Sequence, residues 1–225
     1  MIKQRKVILS LTFIFTMFFS TVALAGPFTN PATTNSNYDR WDAKVYAERH
    51  AESPNDDEYA DFMSSGGDCT NFVSQVLWAG GMSMNGTSTP GYGYWYYYGS
   101  VPPSRSYSWT GVTQFMQYWA NYNGSGKNKA YSFKIYTLTD AMDPDTYHAI
   151  FKDLYEGDII QYTGAITHSQ VVHDYDSTDL YVAQHGTEEA RYYSGQKLSQ
   201  YLDWVLDGYG SNVTVYTERM KLAST

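Results

Sequence analysis

The sequence predicts an α+β domain in which helices gather around one small antiparallel sheet. Three observations carry that reading. Short β-rich runs separated by turns follow one another at "GDIIQYT" (157–163), "THSQVVHDY" (167–175) and "DLYVAQH" (179–185), the pattern of consecutive antiparallel strands. Helical periods dominate the chain before them, as in Phe72, Val73, Val76 and Leu77 at three- and four-residue spacing. The length of 225 residues suits one well-packed domain and is short for two.

The elements follow in order. The opening "MIKQRKVILSLTFIFTMFFSTVALAG" has Lys3, Arg5 and Lys6 before an apolar run and Ala23-Leu24-Ala25 after it, the pattern of a secretory signal peptide over 1–25. Ser10, Thr12, Thr16, Ser20 and Thr21 interrupt the run, which favours a cleaved leader over a retained anchor. Residues 26–36 read as a flexible leader, and 37–225 as a single domain. "NYDRWDAKVYAERHAE" (37–52) predicts a helix with Trp41, Val45 and Tyr46 inward, broken at Pro54. Ser64-Ser65-Gly66-Gly67 turns the chain. Asp68 then reads as an N-cap, with Cys69 in the first turn of a helix that ends at Gly80-Gly81. Residues 82–110 show no period and read as a long loop; "SWTGVTQFMQYWANYNGSG" (108–126) reads as one helix with Trp109, Val112, Met116 and Trp119 on one face. A strand over 131–139 and a helix capped by Asp143 and Pro144 precede the three β-runs. "QKLSQYLDWVLDGYG" (196–210) predicts a helix and "NVTVYTERM" (212–220) a last strand.

Fifteen basic residues against 23 acidic ones give a net charge of −8, which argues against a nucleic-acid partner. With one cysteine, the chain can form no internal disulfide. A lone thiol in an exported protein is buried and inert, bonded to another molecule, or kept for chemistry. Position favours chemistry. At a helix start, backbone N–H groups and the helix dipole stabilise a thiolate.

A nucleophile needs a base. His50 and His148 fall on helix surfaces or edges, whereas His168, His173 and His185 fall in the β-runs. Strand alternation puts His168 with Gln170 and Val172 on one face, and His173 with Ser169 and Val171 on the other. His185 ends the next strand, where it could lie beside His168. The run Tyr94 to Tyr98 in the long loop reads equally as a cover for the core or as a cleft wall, with Tyr94 and Trp95 as candidate substrate-binding residues.

"GDCTNFVSQVLWAGGM", "SWT", "GDIIQY", "THSQVVHDY" and "AQHG" together resemble the bacterial putative amidase domain family, of the papain-like cysteine peptidase superfamily that includes the NlpC and CHAP cell-wall hydrolase domains. The resemblance covers roughly 37–215. It implies a papain-like fold with the nucleophile at a helix N-terminus. It also implies a triad of Cys69 as nucleophile, His168 as general base and His185 as the residue orienting that base. Asp68 matches an aspartate that related enzymes use near the substrate's amino group. The expected protein is a secreted or cell-wall-associated monomer that cuts an amide in peptidoglycan or another peptide substrate. It needs no cofactor or metal and keeps no stable membrane insertion once the leader is removed. Two other readings stay open: a zinc site built from Cys69, His168 and His185, and a non-catalytic wall-binding module that uses the Tyr-rich loop.

Overall fold

A computed structural model describes residues 34–124, 126–186 and 195–222. The expected signal peptide and most of the leader lie outside the described residues. Just inside them, Asn35 donates to the backbone carbonyls of Lys129 (2.7 Å) and Met220 (2.5 Å).

Four helices come first: α1 (Arg40–His50), α2 (Cys69–Ala79), α3 (Tyr107–Thr110) and α4 (Val112–Ala120). Strand β1 (Ser132–Thr137), helices α5 (Leu138–Met142) and α6 (Pro144–Asp153), and strands β2 (Ile159–Gly164), β3 (His168–Tyr175) and β4 (Leu180–Ala183) follow. The described chain closes with β5 (Gln196–Lys197), α7 (Leu198–Tyr209) and β6 (Val213–Arg219). All six strands form one antiparallel sheet in the order β1-β6-β2-β3-β4-β5. The predicted α+β class holds. No described helix is long and apolar enough to cross a membrane.

Strand alternation splits the core between the two sheet faces. Ile159, Val171 and Ala183 pack against Ala43, Ala47, Phe72, Val73 and Val76 of α1 and α2. Their neighbours Ile160, Val172 and Val182 pack on the other face against Leu138, Ile150, Leu198 and Leu202. The sheet is therefore covered on both sides, and α2 is buried almost all round.

Local departures from the sequence reading have physical causes. Trp41 is 68% exposed, and α1 turns Ala43 and Ala47 inward instead. Small residues let α1 approach α2 closely, and a tryptophan on that stripe would hold them apart. The predicted helix over 108–126 breaks at Gly111, whose backbone is extended, and Asn121 ends α4 with φ of 54°. A Cβ at Gly111 would lie 2.2 Å from the amide end of the Gln114 side chain, which would have to swing aside.

Of the two readings of the Tyr94 to Tyr98 run, the core cover holds for Trp95, a candidate substrate-binding residue, which is fully buried. Its ring packs on Trp109 (4.7 Å between centroids) and Trp119 (5.0 Å), and its Nε1–H donates to Ser74 Oγ at 3.1 Å. It therefore has no face left for a ligand. The loop can bury this ring because it pairs with itself, at Asn85 with Trp95 and Tyr97 with Arg105. Tyr94 and Tyr98 remain exposed.

One buried carboxyl has no hydrogen-bond partner among the described residues. Glu218 lies on β6 opposite Phe133 of β1 and Ile159 of β2, fully buried, with both carboxyl oxygens unpartnered. Burial alone pushes its carboxyl up to about 8.

Candidate active site

Two glycines prepare the approach to Cys69. Gly66 and Gly67 have φ of 110° and 115°, which side-chain-bearing residues rarely adopt, and the space where their Cβ atoms would stand is open. The chain reverses there and enters α2 at Cys69, whose side chain is part-exposed.

His168, the first residue of β3, is 8% exposed, and its ring and the Cys69 thiol each shift the other's titration. Burial pushes the Cys69 thiol up. The charge of His168, its hydrogen bond, the Thr70 hydroxyl and the Ser169 backbone together outweigh burial and hold the thiol below its ordinary value. Burial likewise pushes His168 down, and the Cys69 charge with bonds from Cys69 and Gln184 carries it above the usual imidazole value. The two shifts favour a thiolate–imidazolium pair.

The other ring nitrogen is held by a residue the sequence reading missed. His168 Nε2 lies 2.7 Å from Gln184 Oε1. That oxygen also accepts from Gln170 Nε2 at 2.6 Å, and Gln170 Oε1 accepts from the Tyr162 hydroxyl at 2.7 Å. An amide oxygen can only accept, so His168 Nε2 carries hydrogen and Nδ1 is left for Cys69. Tyr162 and Tyr201 flank the ring at centroid distances of 6.5 and 6.1 Å.

His185 does not occupy the place the resemblance implied. Its Nδ1 lies 2.6 Å from Asp68 Oδ2, its Nε2 lies 2.9 Å from the His50 carbonyl, and its ring stacks on Phe72 at 4.1 Å. Register explains the exchange. Val172 pairs with Val182 and Val171 with Ala183, so continuing the ladder sets Gln184 opposite Gln170 and His185 opposite Ser169. Gln184 thus shares the face of His168, and His185 falls on the other. Strict alternation from Val182, which pairs with Val172 on the face of His168, sets Gln184 on that face.

Asp68 is also placed differently from expectation. Its side chain does not cap α2. Oδ1 accepts from Asn71 Nδ2 (2.8 Å) and the Phe62 backbone (3.1 Å), while Oδ2 faces His185. The residue is 4% exposed with both oxygens engaged, so it cannot meet a substrate amine without first releasing His185. Asn71 is fully engaged nearby: its Nδ2 donates to Asp68 and to the Ala60 carbonyl, and its Oδ1 accepts from the Trp109 Nε1–H. The Cys69 backbone N–H at the helix start remains as a donor.

His173 lies on the face opposite His168, as alternation predicts, 3.4 Å from Glu48. Zinc ligation by Cys69, His168 and His185 requires all three to converge, but both nitrogens of His185 are turned to Asp68 and His50. No group of three or more His, Cys, Asp or Glu among the described residues is arranged to hold a metal ion.

An 84-residue segment, 37% of the chain, is 39% identical to the uncharacterized protein YhbB of Bacillus subtilis (strain 168), and the match spans 24% of that protein. No solved structure matches. The model of the putative amidase domain matches residues 37–211, which takes in Cys69, His168 and Gln184, and the chain belongs to that family.

Proposed function

We propose that the protein is a cysteine-dependent amidase of papain-like design, with Cys69 as nucleophile, His168 as general base and Gln184 as the residue orienting that base. The observation that carries this reading is the Cys69–His168–Gln184 chain, in which the thiol is held low, the imidazole is held high and the tautomer is fixed by an acceptor. The Cys69 thiolate adds to the amide carbonyl, and the developing oxyanion takes a hydrogen bond from the Cys69 N–H. Collapse of that intermediate breaks the C–N bond, and the amine leaves with the proton carried by His168. Water, deprotonated by His168, then attacks the thioester, and the thiol recovers its proton as the acid departs.

The substrate we propose is an amide within peptidoglycan peptides, met outside the cell membrane. The secretory pattern over 1–25 supports that setting. Tyr92, Tyr94, Tyr98 and Tyr107 offer exposed aromatic surface along the fold's long loop. Mass spectrometry of purified wall fragments after incubation with the protein tests it. New carboxyl and amine termini at one linkage are expected, and intact fragments beside a fully active thiol would sink the wall assignment.

The thiol is tested without any substrate. Iodoacetamide should alkylate Cys69 at a rate that stays high well below pH 8.5, where a free cysteine loses its thiolate. A rate curve with its midpoint near 8.5 would refute the paired state. Gln184→Ala should lower kcat/KM by on the order of a hundredfold, as loss of an orienting group does. Gln184→Glu should keep most of the activity, because a carboxylate accepts the same N–H. Equal losses in both variants would show that Gln184 does not act through the ring.

A further inference from the structure

The acceptors around His185 require more protons than a neutral imidazole holds. Nε2 faces a backbone carbonyl, which only accepts, so Nε2 carries hydrogen. Nδ1 stands 2.6 Å from a carboxylate oxygen, so a second proton lies between ring and carboxylate. The pair is therefore an imidazolium with a carboxylate, or its neutral tautomer, and its net charge is zero either way. It is also shielded, with side chains 2% and 5% exposed and Phe72 stacked against the ring.

Its position in the chain gives the pair a role. Asp68 directly precedes Cys69, and His185 directly follows Gln184. The bond between them joins residues 117 positions apart. It ties the start of α2 to the end of β4 at the two points where the proposed nucleophile and orienting residue emerge. Asn71 and the Phe62 N–H brace the carboxylate from behind.

We propose that Asp68 and His185 are positioning residues: a charge-neutral, proton-holding tether that sets Cys69 against His168 and Gln184. The inference rests on the amidase reading, in which those three residues form the reacting chain. Alanine at either position removes the tether. His185→Ala also leaves the buried Asp68 carboxylate without its imidazole partner, one residue from Cys69. Asp68→Asn preserves the tether. Its amide oxygen keeps the bonds from Asn71 and Phe62, while its N–H₂ donates to Nδ1 of a neutral His185, and the net charge stays at zero.

The experiment reads Cys69 directly, by its iodoacetamide alkylation rate at about pH 6 in the full chain, with thermal melts confirming that each variant is folded. We expect Asp68→Ala and His185→Ala to alkylate at least tenfold more slowly than wild type and the double alanine variant to be no slower than the worse single one. Asp68→Asn should stay within about threefold of wild type. Alanine variants that alkylate at the wild-type rate would overturn the proposal, because the pair would then be idle. Asp68→Asn as slow as Asp68→Ala would overturn it as well, because the charge of Asp68 and not the tether would then matter. If an alanine variant does not fold, the contrast between wild type and Asp68→Asn still decides. Slow alkylation already in the wild type would instead refute the amidase reading, so the two failures are distinct.

Discussion

Cys69→Ala is expected to abolish turnover, a loss on the order of 10⁴-fold or more, while the thermal melt stays close to wild type. The substitution deletes the atom that would bond to the substrate carbon and removes little packing, since the side chain is part-exposed at the first residue of α2. His168→Ala should cost nearly as much. It removes the charge that holds the thiol low and the proton donor for the leaving amine. The two losses should not add, because either change breaks the same chain of groups. His173→Ala is the internal control. It lies across the sheet beside Glu48, and turnover should stay within a few-fold of wild type. Hydrolysis by folded Cys69→Ala protein would remove the cysteine mechanism altogether.

The second large effect concerns stability. Glu218 is held protonated by burial, with its carboxyl near 8 against an ordinary value of 4.5. A folded-state value raised above the unfolded one gives stability that is fully present below about 4.5 and lost as pH rises through 8. The linked free energy is on the order of 5 kcal/mol across that window, at about 1.4 kcal/mol per pH unit. Denaturant unfolding of wild type and Glu218→Gln at pH 5, 7 and 9 isolates this group from the others. The stability of wild type relative to the variant should fall steadily over the series. Parallel profiles would show that Glu218 does not titrate between those limits.

Much of this was legible before any coordinates. The helix that begins at Cys69 shows in the Ser64 to Gly67 turn and the apolar spacing that follows, and two glycines with positive φ set its start. Alternation alone separated His168 from His173. The third member of the site was not legible in the same way, because a difference of one residue between Gln184 and His185 reverses the face. Chemical familiarity favours the histidine, whereas the ladder from Val182 favours the glutamine. Aromatic residues misled for a related reason. Trp41 and Trp95 carry equal apolar surface, and only packing geometry decides that α1 presents alanines inward while the loop folds Trp95 under itself. An unpartnered buried acid such as Glu218 has no local signature at all, since "YTER" in an exposed strand would look the same.

The wide sequence separation of the site's parts has a consequence for when the chemistry begins. The hydroxyls of Thr70 and Ser169 meet across 99 positions, and Asp68 meets His185 across 117. Helix α2 can form early from its own sequence, but the groups that depress the thiol arrive with β3 and the end of β4. Until those strands have docked, Cys69 is an ordinary thiol on a helix. A nascent or half-unfolded chain thus carries Cys69 without the His168 charge and Ser169 backbone that lower its thiol, and the finished sheet is what supplies them.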